Sequence, residues 1–379
     1  MTNAIGPDEA EAGGILTIDL AAIVANWLAL GRRAAPAACA AVVKADGYGC
    51  GIEQVAGALA KAGCETFFVA NLAEARRARA AAPLATIYVL NGVLPGTAPA
   101  YADANVRPVI GNWLELDEWR AFRAHTGWHG DAAFQVDTGM SRLGFSREEA
   151  ARIVPLAADH GIALVMSHFA CSEEEHPLNA IQMQRFRDVR TLFPGIPGSL
   201  ANSSGIFLGA EAQHDLVRPG VALYGANPLP GRTNPMQPVV KLQARIVQVR
   251  TVEQGETVGY NATWTAKRPT QLAVVSVGYA DGFLRAASAS DTRPGGEAIV
   301  LGTRCPFAGR VSMDLMAIDI TDVRPDPRRF RGEYITLRGE LVTLLGDGIG
   351  VDDLAARAGT IGYEVLTSLG RRYRRVYRS

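Results

Sequence analysis

AACAAVVKADGYGCGIEQVAGALAK, residues 37–61, is the stretch on which the architecture turns. Its first seven residues are small and apolar and end on adjacent valines, the composition of a strand buried on both faces. Lys44 closes the run and ADGYGCG makes a glycine-punctuated turn. Apolar residues then return at Ile52, Val55, Ala56 and Leu59, the i, i+3, i+4, i+7 spacing of an amphipathic helix. Strand, turn and helix in this order form one βα unit.

The unit recurs outward from there. Strand-like runs lie at Ala41–Lys44, Thr66–Ala70, Ile87–Leu90, Arg107–Ile110, Ala132–Asp137, Ala163–Ser167, Ser199–Asn202 and Leu216–Arg218. Helical patterns such as LAEARRARAAA, SREEAARIVPLAADHG and LNAIQMQRFRDVRTLF fall between them. Right-handed βαβ connections make such strands parallel, and eight in about 220 residues is the count of a (β/α)8 barrel. The rival, a doubly wound open sheet, lacks a GxGxxG after its first strand. From about Lys241 the pattern changes to KLQARIVQVRTV, QLAVVSVGYA, EAIVLGT, MAIDITDV, EYITLRGE and LVTLLG, with helix only in VDDLAARAGT and GYEVLTSL. This predicts a mostly antiparallel β domain. The expected divisions are a disordered, acidic, solvated tail over 1–14, the barrel over 15–240 and the β domain over 241–379.

The 379 residues carry 38 basic and 38 acidic side chains and no net charge, which argues against a nucleic-acid partner. No apolar run approaches the ~18 residues of a membrane span. The first residues do not resemble a secretory signal. Five scattered cysteines without a CxxC pair suit reduced thiols and a cytoplasmic location. Six histidines without ligand spacing predict no metal.

Barrel enzymes carry their chemistry where strands end. Here those ends hold Lys44, Asn91, Asp137 with Arg142, His168, Asn202 with Ser203, and Arg218 followed by Gly220 and Val221. Only four of the basic residues are lysines: Lys44, Lys61, Lys241 and Lys267. Lys61 ends a helix, Lys267 lies in a polar turn and Lys241 at a domain boundary, so Lys44 is the candidate reactive amine. A snorkelling strand-end lysine is the plainer reading of it. Desolvation would nevertheless leave it neutral and able to form a Schiff base. ANSSG at 201–205 and the amides of Gly220 and Val221 offer a phosphate cradle, after strands seven and eight where barrels place one.

AVVKADGYGCG at 41–51 resembles the pyridoxal-phosphate signature of the alanine racemase family, and the likeness continues along nearly the whole chain. LTIDLAAIVANW, VDTGMSRLGF, MSHFACSEE, ANSSG, LVRPGVALYG, VGYNATW, VGYADG, GRVSMDLMAID and GYEVLTSL are similar to family blocks, in family order. The resemblance implies an isomerase that interconverts L- and D-alanine, for peptidoglycan or in alanine catabolism. It implies a homodimer with shared active sites. Pyridoxal 5′-phosphate would be a Schiff base on Lys44, with Tyr260 of the other subunit as the second base. Tyr48, Asn202, Ser203, Gly220, Val221 and Tyr363 would surround the phosphate. Arg218 would face the pyridine nitrogen with His168 beside it, and Arg142 the phenolic oxygen. Arg142, Met313, Asp314 and Tyr279 would meet the substrate or line its approach.

Two positions depart from the family pattern. Gln135 stands where a lysine, often carbamylated, is common, so a bound anion or nothing supplies that charge beside Arg142. Ser312 replaces a frequent cysteine. A single-domain pyridoxal-phosphate carrier lacks the β domain. A barrel-plus-β decarboxylase carries a cysteine-acid block, and Cys305 in TRCPFAG is followed by no acidic pair. A cofactor-free aldolase needs no NSSG.

Overall fold

The computed structural model describes residues 3–157, 161–324 and 337–379. They form two compact units, Ile23–Gln237 and a second made of Met1–Ala22 with Pro238–Ser379.

In the first unit seven parallel strands run in the order Gly198–Ser199, Ile162–Met166, Ala132–Gln135, Arg107–Ile110, Thr86–Val89, Thr66–Val69 and Ala41–Val42. The eighth, Leu216–Val217, pairs in parallel with Ala38–Cys39, the residues just before Ala41–Val42. The Asp215 N–H donates to Gly198 O (3.0 Å) and the Arg218 N–H to Ala201 O (2.9 Å), while the Val42 N–H reaches Pro219 O (2.9 Å). These bonds close the ring, so the structure is a (β/α)8 barrel and not an open sheet. The seventh and eighth staves are each only two paired residues long. Phe67, Phe68 and Phe134 fill the core with no exposed surface.

Local chemistry starts the helices at the strand ends. Asn71 caps Leu72–Ala81 by accepting from the Glu74 N–H, and Asn112 caps Trp113–Thr126 by accepting from the Glu115 N–H. Each glutamate reaches back to the strand, Glu74 to the Ala70 N–H and Glu115 to the Gly111 N–H, both at 2.9 Å. The same N-x-x-E device, a form of capping box, thus fastens two βα loops.

Among the described residues the second unit is built on a branched nine-stranded sheet, and it corrects two expectations. Residues 3–14 are ordered and not a disordered tail, although most of them stay exposed. Asn3–Ile5 pairs antiparallel with Arg374–Arg378, and the Glu9 carbonyl accepts from Arg245 (2.9 Å). Nor does the barrel begin at Ile15: Gly14–Asp19 lies in the β sheet, antiparallel to Val240–Val252 and parallel to Arg374–Arg378. Strands on both sides and packing on both faces bury Ile15 through Ile18, so the alternation that marks a half-exposed strand is missing. Val240–Val252, Thr270–Val275, Glu297–Val300, Met316–Asp319 and Leu341–Leu345 follow the expected strands. The first four residues of EYITLRGE lie outside the described residues. The two expected helices are Val351–Ala358 and Gly362–Ser368.

Candidate active site

Two groups of expected site residues are assembled, one in each unit. The barrel group sits where the strands end. Lys44 lies two residues beyond the end of Ala41–Val42 and is half-buried. Loss of hydration holds its amine below the usual lysine range. The Arg142 charge pushes the same way and Glu74 opposes it. Arg142 follows a turn in which the Asp137 carboxylate accepts the N–H groups of Gly139, Met140 and Ser141 at 2.9–3.0 Å. Gln135 spends its amide N–H on the Leu143 carbonyl (3.1 Å), so it holds the backbone next to Arg142.

Arg218 is 4% exposed. It donates to the Ser199 hydroxyl, to Ser167 O (2.6 Å) and to His168 Nδ1 (3.3 Å). Arginine only donates, so Nδ1 accepts and the imidazole proton belongs on Nε2. Desolvation, then the charges of Arg218, Arg142 and Lys44, pull His168 down to about 3, and it is neutral. Burial lowers Arg218 to about 9, which leaves it protonated at neutral pH. Among the described residues no carboxylate pairs with it. A buried, unpaired charge costs several kcal/mol, and such a site favours a ligand that accepts from the guanidinium.

The third part is a cradle of hydroxyls and amides. Ser203 Oγ accepts the Gly220 N–H (2.9 Å) and the Ala222 N–H (3.3 Å). With both lone pairs engaged, its proton is free for an anion. Tyr48 is buried and stacks on Tyr224, ring centroids 4.6 Å apart. A Cβ on Gly220 would lie 2.3 Å from the Tyr48 hydroxyl oxygen, so only glycine lets that hydroxyl come so close. Val221 opens the short turn that follows. Asn202 acts as a cap, its carbonyl oxygen accepting from Ser172 (2.8 Å) and the Gly205 N–H (2.9 Å). An amine, a buried donor and an anion cradle at one barrel rim fit a flat ligand with an aldehyde, a ring acceptor and a phosphate.

The β-domain group is arranged differently. Tyr260 is 67% exposed and Met313 54%. The Tyr279 N–H donates to Ser312 O (3.0 Å) and the Ala280 N–H to Met313 O (2.9 Å), which holds the two segments side by side. Arg372 bridges them from a third, binding Asp281 (3.1 Å) and Asp314 (2.8 Å). The Gly370 N–H donates to Asp281 O (2.9 Å), linking this turn to the chain just after Gly362–Ser368, the helix that carries Tyr363. Reading the sequence alone missed Ser199, Gln182, Tyr224 and Arg372. Gln182, with no exposed surface, supports His168 through its carbonyl (2.8 Å) and the Thr138 hydroxyl (3.1 Å). A polar residue in a mid-helix register gives no signal of that in sequence, whereas Tyr224 lies inside the LVRPGVALYG block.

Comparison with known proteins places both parts of the chain in one family. Residues 18–228 match the alanine racemase N-terminal domain and residues 239–377 the alanine racemase C-terminal domain. An alanine racemase of Methylobacterium sp. (strain 4-46) is 52% identical over 96% of this chain and 98% of its own length. A catabolic alanine racemase of Mesorhizobium japonicum is 47% identical over 97% of this chain and 94% of its own. The crystal structure of alanine racemase from Bartonella henselae with covalently bound pyridoxal phosphate superposes with a TM-score of 0.88 at 37% identity, covering 97% of this chain and all of that one. Two matched domains in order, on a barrel with a lysine at its rim and a β domain beside it in sequence, leave one assignment: the chain belongs to the alanine racemase family.

Proposed function

We propose that the protein interconverts L-alanine and D-alanine with pyridoxal 5′-phosphate held on Lys44. The observation that carries this is the barrel rim itself: a half-buried amine below its usual pKa, a buried arginine without a carboxylate, and the Ser203–Gly220–Tyr48 cradle. Ser203, Tyr48 and the Gly220–Val221 backbone, with Tyr363 and Asn202, would hold the phosphate. Arg218 would donate to the ring nitrogen, and Arg142 would lie near the phenolic oxygen. When bound, the cofactor is an electron sink that acidifies the α-proton of the amino acid.

Racemisation removes the α-proton on one face and returns one on the other, so a base must stand on each side. Lys44 takes one face, since its lowered pKa raises the neutral fraction available to accept a proton. Tyr260, exposed on its own chain, takes the other face, supplied by a second copy in a homodimer. Arg218 can only donate, so it would hold the ring nitrogen of a bound cofactor unprotonated and would moderate the pull on substrate electrons, limiting transamination. Arg142, with Met313 and Asp314 of the second copy, would meet the substrate carboxylate, and Tyr279 would line the approach. The bulk of Tyr260, Tyr363 and Met313 favours a small side chain. The working place is the cytoplasm, and the D-alanine serves peptidoglycan or is consumed in catabolism. The test is a panel of L-amino acids, serine included, assayed for the D-enantiomer. Alanine should be turned over fastest, with Lys44→Ala inactive. An intact rate for Tyr260→Phe in both directions rejects the two-base assignment.

A further inference from the structure

The turn that follows Lys44 has the wrong hand for its composition. Ala45, Asp46, Gly47 and Tyr48 all have positive φ, between 50° and 63°, yet only one of them is glycine. L-residues visit this region singly and not in runs, so the surroundings must impose it. Bonds along the turn supply part of the constraint: the Gly47 N–H donates to Val43 O (2.9 Å), the Gly49 N–H to Ala45 O (2.8 Å) and the Gly51 N–H to Asp46 O (2.7 Å).

The rest comes from outside, and it converges on Asp46. Its N–H donates to Glu74 Oε1 (3.3 Å). Its carboxylate accepts the Ile52 N–H (3.2 Å) and an Arg77 N–H (2.6 Å). The same guanidinium is forked onto Glu53 at 2.5 and 2.7 Å. Arg77 and Glu74 belong to Leu72–Ala81, and Glu53 to Ile52–Lys61. Arg77 therefore ties two helices to the middle of the strained turn. Lys44 stands at one end of that turn and Tyr48, stacked on Tyr224, at the other. A change of φ at Asp46 shifts one relative to the other.

We infer that Arg77 is a positioning residue for the reaction: through Asp46 it holds the left-handed turn that sets Lys44 and Tyr48 relative to each other. This rests on the assignment of Lys44 as the cofactor-bearing amine. The Arg77, Asp46 and Glu53 side chains are 35%, 29% and 42% exposed. Ion pairs that open to water add little to global stability. The effect therefore falls on the geometry of the turn, where small displacements of reacting groups lower rates steeply.

The experiment compares Arg77→Met, Arg77→Lys, Asp46→Asn, Arg76→Met and Lys44→Ala, using pyridoxal 5′-phosphate titration, steady-state kinetics and melting at saturating cofactor. In Arg77→Met the cofactor Kd should rise and kcat fall, each about tenfold, with KM for alanine within about twofold and Tm within about 3 °C. Arg77→Lys, which keeps the charge, should recover part of both losses. Arg76, exposed on the same helix, should be indifferent to Met. If Arg77→Met melts far lower, Asp46→Asn decides, since it keeps an acceptor for Ile52 and removes the ion pair: tenfold weaker cofactor binding supports the inference and wild-type binding overturns it. Wild-type Kd and kcat in Arg77→Met, or equal damage in Arg76→Met, also overturn it. Retained racemisation in Lys44→Ala would instead overturn the assignment of Lys44 beneath it.

Discussion

The barrel rim and the β-domain edge hold candidate site residues under opposite conditions. At the rim, Arg218 is 4% exposed and His168 is neutral with its pKa near 3, and the groups shift one another because water is scarce. At the edge, Tyr260 is 67% exposed and Asp314 is neutralised by Arg372 at 2.8 Å. Under the proposed function, one half of the chemistry is preorganised inside a single chain. The other half is shaped but left open to solvent, and it gains a low-dielectric surrounding only when covered. Under the proposed function the covering is a second subunit.

The largest test of that contrast pairs two inactive proteins. Lys44→Ala and Tyr260→Phe should each lose on the order of 10³-fold in kcat or more. Mixed and refolded together, they should recover about a quarter of wild-type activity, since hybrid dimers contain one intact site. No recovery would mean that both residues serve one chain's own site.

Arg218→Glu comes next. It exchanges a donor for a group that can share a proton with the ring nitrogen, so racemisation should fall by roughly 10–100-fold while pyruvate from transamination rises. An unchanged ratio of pyruvate to D-alanine contradicts the role given to Arg218.

A smaller effect separates the causes acting on Lys44. Desolvation and Arg142 lower its pKa, and Glu74 raises it. In Arg142→Met the charged amine should persist to higher pH, so the midpoint for cofactor capture by apoprotein moves up. In Glu74→Gln it should move down. Stopped-flow absorbance across pH 6–10 measures both, and shifts of the opposite sign would reject the electrostatic account.

The smallest concerns stability. His168 falls from 6.5 to about 3 in the folded protein, so the unfolded chain binds a proton first as pH drops. The stability linked to this group is complete above pH 6.5 and is lost progressively as pH falls toward 3. Between pH 7 and pH 5, wild-type Tm should fall by a few degrees more than that of His168→Asn. Parallel declines would show that other groups set the acid limit.

Much of the fold and the site is legible in the amino-acid sequence. The strand-end lysine, the NSSG cradle and the order of family blocks need only local pattern, and Lys44, Ser203 and Arg218 lie where those patterns put them. Three things are not legible there. The positive φ of Ala45, Asp46 and Tyr48 depends on Arg77 and Glu74, which are distant in sequence and look like ordinary solvated helix charges. Gly14–Asp19 is buried between two strands, and such a strand reads the same whichever sheet claims it. Asn3–Ile5 is held by Arg374–Arg378, and three residues carry no period.

The placement of Gly14–Asp19 also makes time a constraint on this chain. The segment is made well before its neighbours, since its antiparallel neighbour begins at Val240 and its parallel neighbour at Arg374. At ~5–20 residues per second, it waits on the order of tens of seconds for the first neighbour, with apolar Ile15, Leu16 and Ile18 unpaired and a ready template for another chain. The barrel residues 23–237 can close in that interval. Arg374–Arg378 completes that sheet, so deleting those residues would leave Gly14–Asp19 at an edge.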